Sequence, residues 1–204
     1  MDIKRRFPFL ESAENRETFF RRIALIFPRS DSRYILIEQA YNTAKEAFRE
    51  EGREGGQRYF EHLRAVALIL IDYFRITDHE LIIAAILHDI VEDRPDWTVE
   101  RVQLMFGQRV ACLVDYMSKP PKSEYLDKTA RDAAYHGRFE QAPREFFLIK
   151  LPDRLHNLIT LAACPLEKRA RKIEETRSHY LRYATRHMIL LHELEEALSD
   201  IENA

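Results

Sequence analysis

The sequence predicts an all-α fold, and three observations carry that prediction. Glycine occurs only five times in 204 residues, and three of the five (Gly52, Gly55, Gly56) sit in one short stretch. Long segments rich in Ala, Leu, Glu and Arg carry apolar residues at helical spacing, while β-branched runs are few. No Asn-Gly or Asp-Gly pair separates alternating apolar runs, so the hairpin signal is missing.

The elements follow in order. A first helix is expected over residues 14–27, stopped by Pro28. Asp31 or Ser32 caps a second, which runs to about Glu50 and offers Ile35, Ala40, Tyr41, Ala44 and Phe48 for burial. The glycine cluster makes a loop over 52–57, and a third helix covers 59–73. Thr77 or Asp78 caps a fourth over 80–92, ended by Pro95. Val99, Val102 and Phe106 support a helix ending near Gly107, and another follows over 108–117 before Pro120-Pro121. The polar stretch 122–142 is expected to hold one loosely packed helix. Pro143 opens the next, which carries Phe146, Phe147, Ile149, Leu151, Leu155, Leu158 and Leu161. Pro165 breaks it, and one long segment runs to the C-terminus. The result is a bundle of about eight helices, with residues 1–30 as an N-terminal helical extension and 31–204 as the domain.

Composition narrows the function. Lys plus Arg (32) nearly balances Asp plus Glu (34), for a formal charge of −2, so no global field favours nucleic acid or an anionic membrane. The chain is 46% hydrophobic with a mean hydropathy of −0.42, and its longest apolar runs, 65–71 and 81–87, are too short for a bilayer. No apolar run follows the basic residues near Met1, so no secretory signal is expected. Cys112 and Cys164 show no CxxC spacing and read as reduced, small core residues. A soluble cytoplasmic domain is the expectation; the oligomeric state is left open.

One constellation carries chemistry. The segment from Leu81 to Leu87 is wholly apolar, then His88, Asp89, Glu92 and Asp93 appear together. Members of the His88/Glu92 and Asp89/Asp93 pairs are four residues apart and lie on neighbouring helical ridges. Three carboxylates at a helix C-terminus oppose the macrodipole, a conflict that a nearby metal ion removes. His62 precedes a second apolar run. Lys150, Asp153, Asn157 and Thr160 form a polar stripe on an otherwise apolar helix. A core-facing stripe needs partners, since an unpaired buried polar group costs about 1–3 kcal/mol. Taken singly, each element has a plainer reading: a hydrogen-bonded structural histidine, a solvated helix end, a surface ion pair.

Taken together, in this order, these residues resemble the H…HD…D signature of HD-superfamily metal-dependent phosphohydrolases. They resemble more closely the hydrolase domain of RelA/SpoT-type alarmone enzymes. The family pattern RxxGxxYxxH is similar to Arg53–His62, LLHDxxED to Ile86–Asp93, FGxxVAxLV to Phe106–Val114, and IKLADRLHNxxTL to Ile149–Leu161. Glu175-Thr176, Tyr180 and Ala184 resemble a further family helix.

The resemblance implies that His62, His88, Asp89 and Asp153 ligate one Mn²⁺. It implies that Glu92 and Asp93 are the catalytic carboxylates, that Arg53 packs on a guanine base, and that Asn157 and Thr160 line the nucleoside site. Lys150 and Lys119 match recurring family lysines, and Lys150 is grouped with the substrate-binding residues. Two His and two Asp leave an M²⁺ site with no net charge, so Lewis acidity is preserved. Lys119, Arg154, Lys168, Arg169 and Arg171 are candidates to meet phosphates, the last three reading more readily as a solvated helix face.

The chain departs from the pattern at Glu54 and Gly55, where the family has lysine and serine, and at Pro152, where it has alanine. A proline inside a helix removes one backbone bond and is expected to bend the chain beside a ligand. Pro95 and Asp96 reshape the loop after Glu92-Asp93. With no room for a synthetase domain after Ala204, the resemblance leads to the expectation of a small, hydrolase-only alarmone enzyme.

The implied activity is hydrolysis of (p)ppGpp at the ribose 3′ position, giving GDP or GTP and pyrophosphate. The implied partner is a small nucleotide, with neither nucleic acid nor membrane. One alternative is an HD phosphohydrolase of another nucleotide, including the 2′-phosphate of NADPH. Another is a non-catalytic nucleotide sensor; such proteins typically lose a ligand or the Glu-Asp pair, and here all are present.

Overall fold

A computed structural model describes residues 6–10 and 14–203; among these there is no strand, only an isolated bridge between Gly52 and Arg58. The α-helices are α1 (Arg16–Ile26), α2 (Ser32–Ala47), α3 (Tyr59–Leu68), α4 (His79–Leu87), α5 (Ile90–Asp93), α6 (Val99–Phe106) and α7 (Gln108–Met117). They continue with α8 (Lys128–Gly137), α9 (Arg144–Ile159), α10 (Leu166–Glu175), α11 (Leu181–His187) and α12 (Leu191–Glu202). The all-α expectation holds, and the helix number is close to it once the breaks described below are taken into account.

Hydrophobicity decides which helices are central. Every residue from Leu81 to Leu87 is buried, so α4 has no face to offer water and must be surrounded. It packs against α2, α3, α7 and α9. α3 and α9 are also buried over most of their lengths and pack on each other. The three meet at one end, and that junction is where the polar residues collect. α6 packs on α7, and α11 and α12 pack on α9. α1 joins the same core, with the rings of Phe19 and Phe20 each 5.1 Å from Tyr41 of α2. Phe7 meets Tyr73 at 4.9 Å.

Several helix starts are fixed by side chains that satisfy orphan N–H groups. Asn15 and Thr18 form a reciprocal box at α1. Asp31 accepts from Arg33 N–H at α2, and Asp78 from Glu80 and Leu81 N–H at α4. Thr98 and Asp127 do the same for α6 and α8.

The structure departs from the sequence reading at particular places. The segment 80–92 is not one helix: α4 ends at Leu87, His88 and Asp89 form a turn, and α5 is a single turn. The His88 ring donates from Nδ1 to the Ala85 carbonyl at 2.8 Å, competing for the acceptor a continuing helix would give to the Asp89 N–H. The segment 59–73 ends in a π-helical turn, Ile69–Tyr73. The C-terminal segment breaks twice, at a π turn (Thr176–Tyr180) and at Met188–Leu190. Met188 and Leu190 both adopt φ of 54°, with Ile189 and Leu190 buried. Burial of two apolar side chains drives that break; no glycine or proline marks it.

The stretch 122–142 is not loosely packed throughout. Tyr135 and Phe139 are buried, and the Tyr135 hydroxyl donates to the Met117 carbonyl at 2.9 Å. α9 runs without interruption through Pro152. Both cysteines are free, but neither is a core residue: Cys112 is exposed and Cys164 partly so. Ile35 is also exposed, and Ile37 takes the buried position on α2. No helix among the described residues is long and apolar enough to cross a membrane.

Candidate active site

Four side chains from three segments converge at the junction. α3 supplies His62, the turn after α4 supplies His88 and Asp89, and α9 supplies Asp153. His62 Nε2 lies 3.2 Å from Asp153 Oδ1 and 3.9 Å from Asp89 Oδ2. His88 Nε2 lies 3.2 Å from Asp89 Oδ2 and 3.8 Å from Asp153 Oδ1. Donor atoms of His62, His88 and Asp89 all fall within 4.8 Å of one another.

The donor set fits a divalent metal ion. His88 Nε2 is fully buried and makes no hydrogen bond, although two carboxylates lie near it. A buried ring nitrogen aimed at a carboxylate pair needs a positive charge between them, either a proton on the ring or a bound metal ion. The electrostatics agree. Against burial, which opposes charge, the Asp89 and Asp153 carboxylates push the His88 pKa up to about 9. Against the same desolvation, His88 draws Asp89 down to about 2. The centre therefore favours positive charge, and mixed imidazole and carboxylate ligands suit first-row divalent metals.

A second ring of contacts orients these groups. Nδ1 of His88 is tied to Ala85, and Nδ1 of His62 lies 2.9 Å from Nδ1 of His156. Both ligand-candidate rings thus turn Nε2 inward. Asp153 accepts from Lys150 Nζ at 2.9 Å and from Asn157 Nδ2 at 2.6 Å. Burial would raise the Asp153 pKa, but the Lys150 ammonium and the imidazoles hold it well below the carboxylate range. Burial keeps His156 well below the usual histidine value, hence neutral.

The two further carboxylates stand on α5. Tyr59 Oη donates toward Asp93 Oδ2 at 2.8 Å and Asp89 Oδ2 at 2.7 Å. Burial, then the charge of Asp89, pushes the Asp93 pKa up to about 6. Glu92 Oε2 accepts from the Lys119 backbone N–H at 3.0 Å, and Glu92 Oε1 lies 3.6 Å from Arg131.

A cavity of about 970 Å³ opens beside the centre. Arg53, Asn157 and Thr160 line it, as do Tyr59 and His156. Arg53 donates to Asn157 Oδ1 at 2.6 Å, while its NH1 is buried without a partner. Thr160 Oγ1 donates to the His156 carbonyl at 2.9 Å. Lys150 lies elsewhere than its grouping with substrate-binding residues implied. It is buried behind Asp153, over the ring of Tyr135, and is not part of the cavity wall. Lys168 and Lys172 are in that wall, so Lys168 is more than part of a solvated face; Glu54 pairs with it and accepts from Cys164 Sγ.

Sequence reasoning missed the contacts of Tyr59, His156, Arg131 and Lys172. Tyr59 stood at a fixed position of the Arg53–His62 pattern, and His156 was a histidine on an apolar helix, so both left a trace. Arg131 reaches Glu92 from the polar α8, and nothing in the sequence pointed to it.

Comparison with known proteins identifies the family. The family model for the HD domain matches residues 40–190. The bifunctional (p)ppGpp synthase/hydrolase SpoT of Escherichia coli K12 is 34% identical over 168 residues, covering 81% of this chain and 23% of that protein. The guanosine-3′,5′-bis(diphosphate) 3′-pyrophosphohydrolase of Aquifex aeolicus is 39% identical over 150 residues, 74% of this chain and 21% of that one. This chain thus spans under a quarter of the length of these relatives. A solved structure described as a metazoan SpoT ortholog that hydrolyses ppGpp superposes with a TM-score of 0.73 at 26% identity, covering 85% of this chain and 97% of that one. The all-helical fold, the converging histidines and aspartates, and a family match over most of the length make this chain a member of the HD domain family.

Proposed function

We propose that this chain is a Mn²⁺-dependent hydrolase of (p)ppGpp, cleaving at the ribose 3′ position to give GDP or GTP and pyrophosphate. The observation that carries the reading is the buried His88 Nε2 facing Asp89 and Asp153 in a group completed by His62, with Tyr59, His156 and Asn157 linking that group to a nucleotide-sized cavity. When bound there, the cation supplies Lewis acidity and a more acidic water.

The protein's own residues do the rest. Asp93, with its pKa raised toward neutrality, moves a proton between the attacking water and the leaving 3′ oxygen. Glu92, fixed by the Lys119 N–H and facing Arg131, orients that water. Lys150 acts as a positioning residue through Asp153. Arg53 packs on the base, Asn157 and Thr160 flank the nucleoside, and Lys168 and Lys172 meet phosphates. The bound nucleotide fills the partner role, without nucleic acid or membrane, and the cytoplasm is the compartment that holds it. Residues 1–30 are read as an N-terminal extension, whose described residues Phe7, Phe19 and Phe20 are buried in the core.

The test is turnover of ppGpp by the purified chain with added Mn²⁺, with Asp89→Ala alongside and metal content measured on both. Equal amounts of GDP and pyrophosphate from the wild type, with neither product nor metal in the variant, is the expected result. A wild type that binds one metal per chain yet leaves ppGpp intact would sink the substrate assignment. A variant that keeps its metal would sink the ligand set.

A further inference from the structure

His156 is buried beside the centre yet occupies none of its ligand positions. Its ring centroid is 4.9 Å from that of His62, and the two Nδ1 atoms are 2.9 Å apart. A contact of that length between imidazoles holds one hydrogen: two N–H groups would collide, and two bare lone pairs would repel. For neutral His62 to present a bare Nε2 to a cation, its hydrogen must sit on Nδ1. That hydrogen then points at His156, whose Nδ1 must be bare and whose own hydrogen must sit on Nε2.

We propose that His156 is the positioning residue that locks the tautomer and ring angle of His62 and so preorganises the metal centre. The inference deepens the proposed function and rests on His62 being a ligand. The comparison with His88 shows why a dedicated residue is needed. His88 sits at the end of α4 and finds an obligate acceptor in the carbonyl of Ala85, three residues back. His62 lies inside α3, where the carbonyls are committed to the helix, so its acceptor must come from another element. α9 supplies it one turn beyond Asp153, so one helix delivers a ligand and the support of another. His156 also lines the cavity, which places this lock between the centre and any bound nucleotide.

Two measurements test the assignment. The first is the ¹⁵N imidazole spectrum of the wild type loaded with diamagnetic Zn²⁺, because without a cation His62 Nε2 would keep its hydrogen against Asp153 Oδ1, 3.2 Å away. The expected pattern is a protonated Nδ1 and bare Nε2 on His62, with the opposite pair on His156; the reverse pairing would overturn the proposal. The second is Mn²⁺ affinity by calorimetry for His156→Leu and His156→Asn, the asparagine oxygen standing near the place of Nδ1. Leucine should weaken binding about 10–100-fold and asparagine by no more than about 3-fold. Equal loss in both, or loss in neither, would overturn it. If His156→Leu does not fold, the wild-type spectrum decides alone. A wild type that binds neither Mn²⁺ nor Zn²⁺ counts against the proposed metal centre, whereas metal binding with the reverse tautomers counts against the role of His156 alone.

Discussion

Tyr59 and Asp93 are joined by a 2.8 Å hydrogen bond that ties the first turn of α3 to the single turn of α5. The same hydroxyl is 2.7 Å from Asp89, so one phenol sits between a ligand candidate and a proton-carrier candidate. Tyr59→Phe removes that donor while keeping the ring stacked on Phe48. We expect kcat to fall about 10-fold or more with KM little changed, because the lost contact orients reacting groups without holding substrate. Steady-state kinetics check this; a raised KM at unchanged kcat would contradict it.

Glu92 and Asp93 should be separable from metal binding. Glu92→Gln and Asp93→Asn are each expected to retain stoichiometric metal while kcat drops about 10²–10⁴-fold. Metal analysis beside single-turnover rates provides the check. A wild-type rate in either variant would place the acid–base group elsewhere.

Lys150 should matter chiefly for integrity. Its ammonium is buried against Asp153, and removing one partner of such a pair strands the other charge. Lys150→Met should lower the stability of the metal-free protein by about 3–5 kcal/mol. Added Mn²⁺ should recover part of that loss, since a bound cation compensates Asp153 and stabilises the folded state by mass action. Denaturant unfolding with and without Mn²⁺ measures both effects.

Lys172 should give the enzyme an alkaline limb. Burial, then the charge of Arg154, lowers its pKa to about 8, while Glu175 beside it works the other way and Lys119 adds to the depression. The folded protein therefore loses this positive charge as pH rises through about 8. KM for a phosphorylated substrate should climb over that interval, and Lys172→Arg, which stays charged, should flatten the climb. A wild-type KM that stays level from pH 7 to 9 would rule out a role for this charge.

Much of the arrangement was legible along the chain. The unbroken apolar run before His88 required a surrounded helix, and that requirement alone makes α4 central. Asp31 and Asp78 could be read as starts because capping is a local transaction between a side chain and the next few N–H groups, whereas the caps Asn15 and Thr98 emerged only with the structure. Asp153 and Asn157 could be read as a stripe because helical spacing places them on one face. The break at Met188–Leu190 could not, since it is set by where Ile189 and Leu190 find cover.

By itself, then, the sequence determined the helical class, the central helices and the residue types able to bind a metal and move a proton. Those follow from composition, period and capping, which act over a few residues. The tertiary structure decided the turn that aims His88, the pairing of His62 with His156, the placing of Lys150 behind Asp153 and the reach of Arg131 to Glu92. Each is a contact between groups distant in sequence or a choice between local hydrogen-bond partners. Such choices are settled by which buried polar groups would otherwise go unpaired when the helices close together.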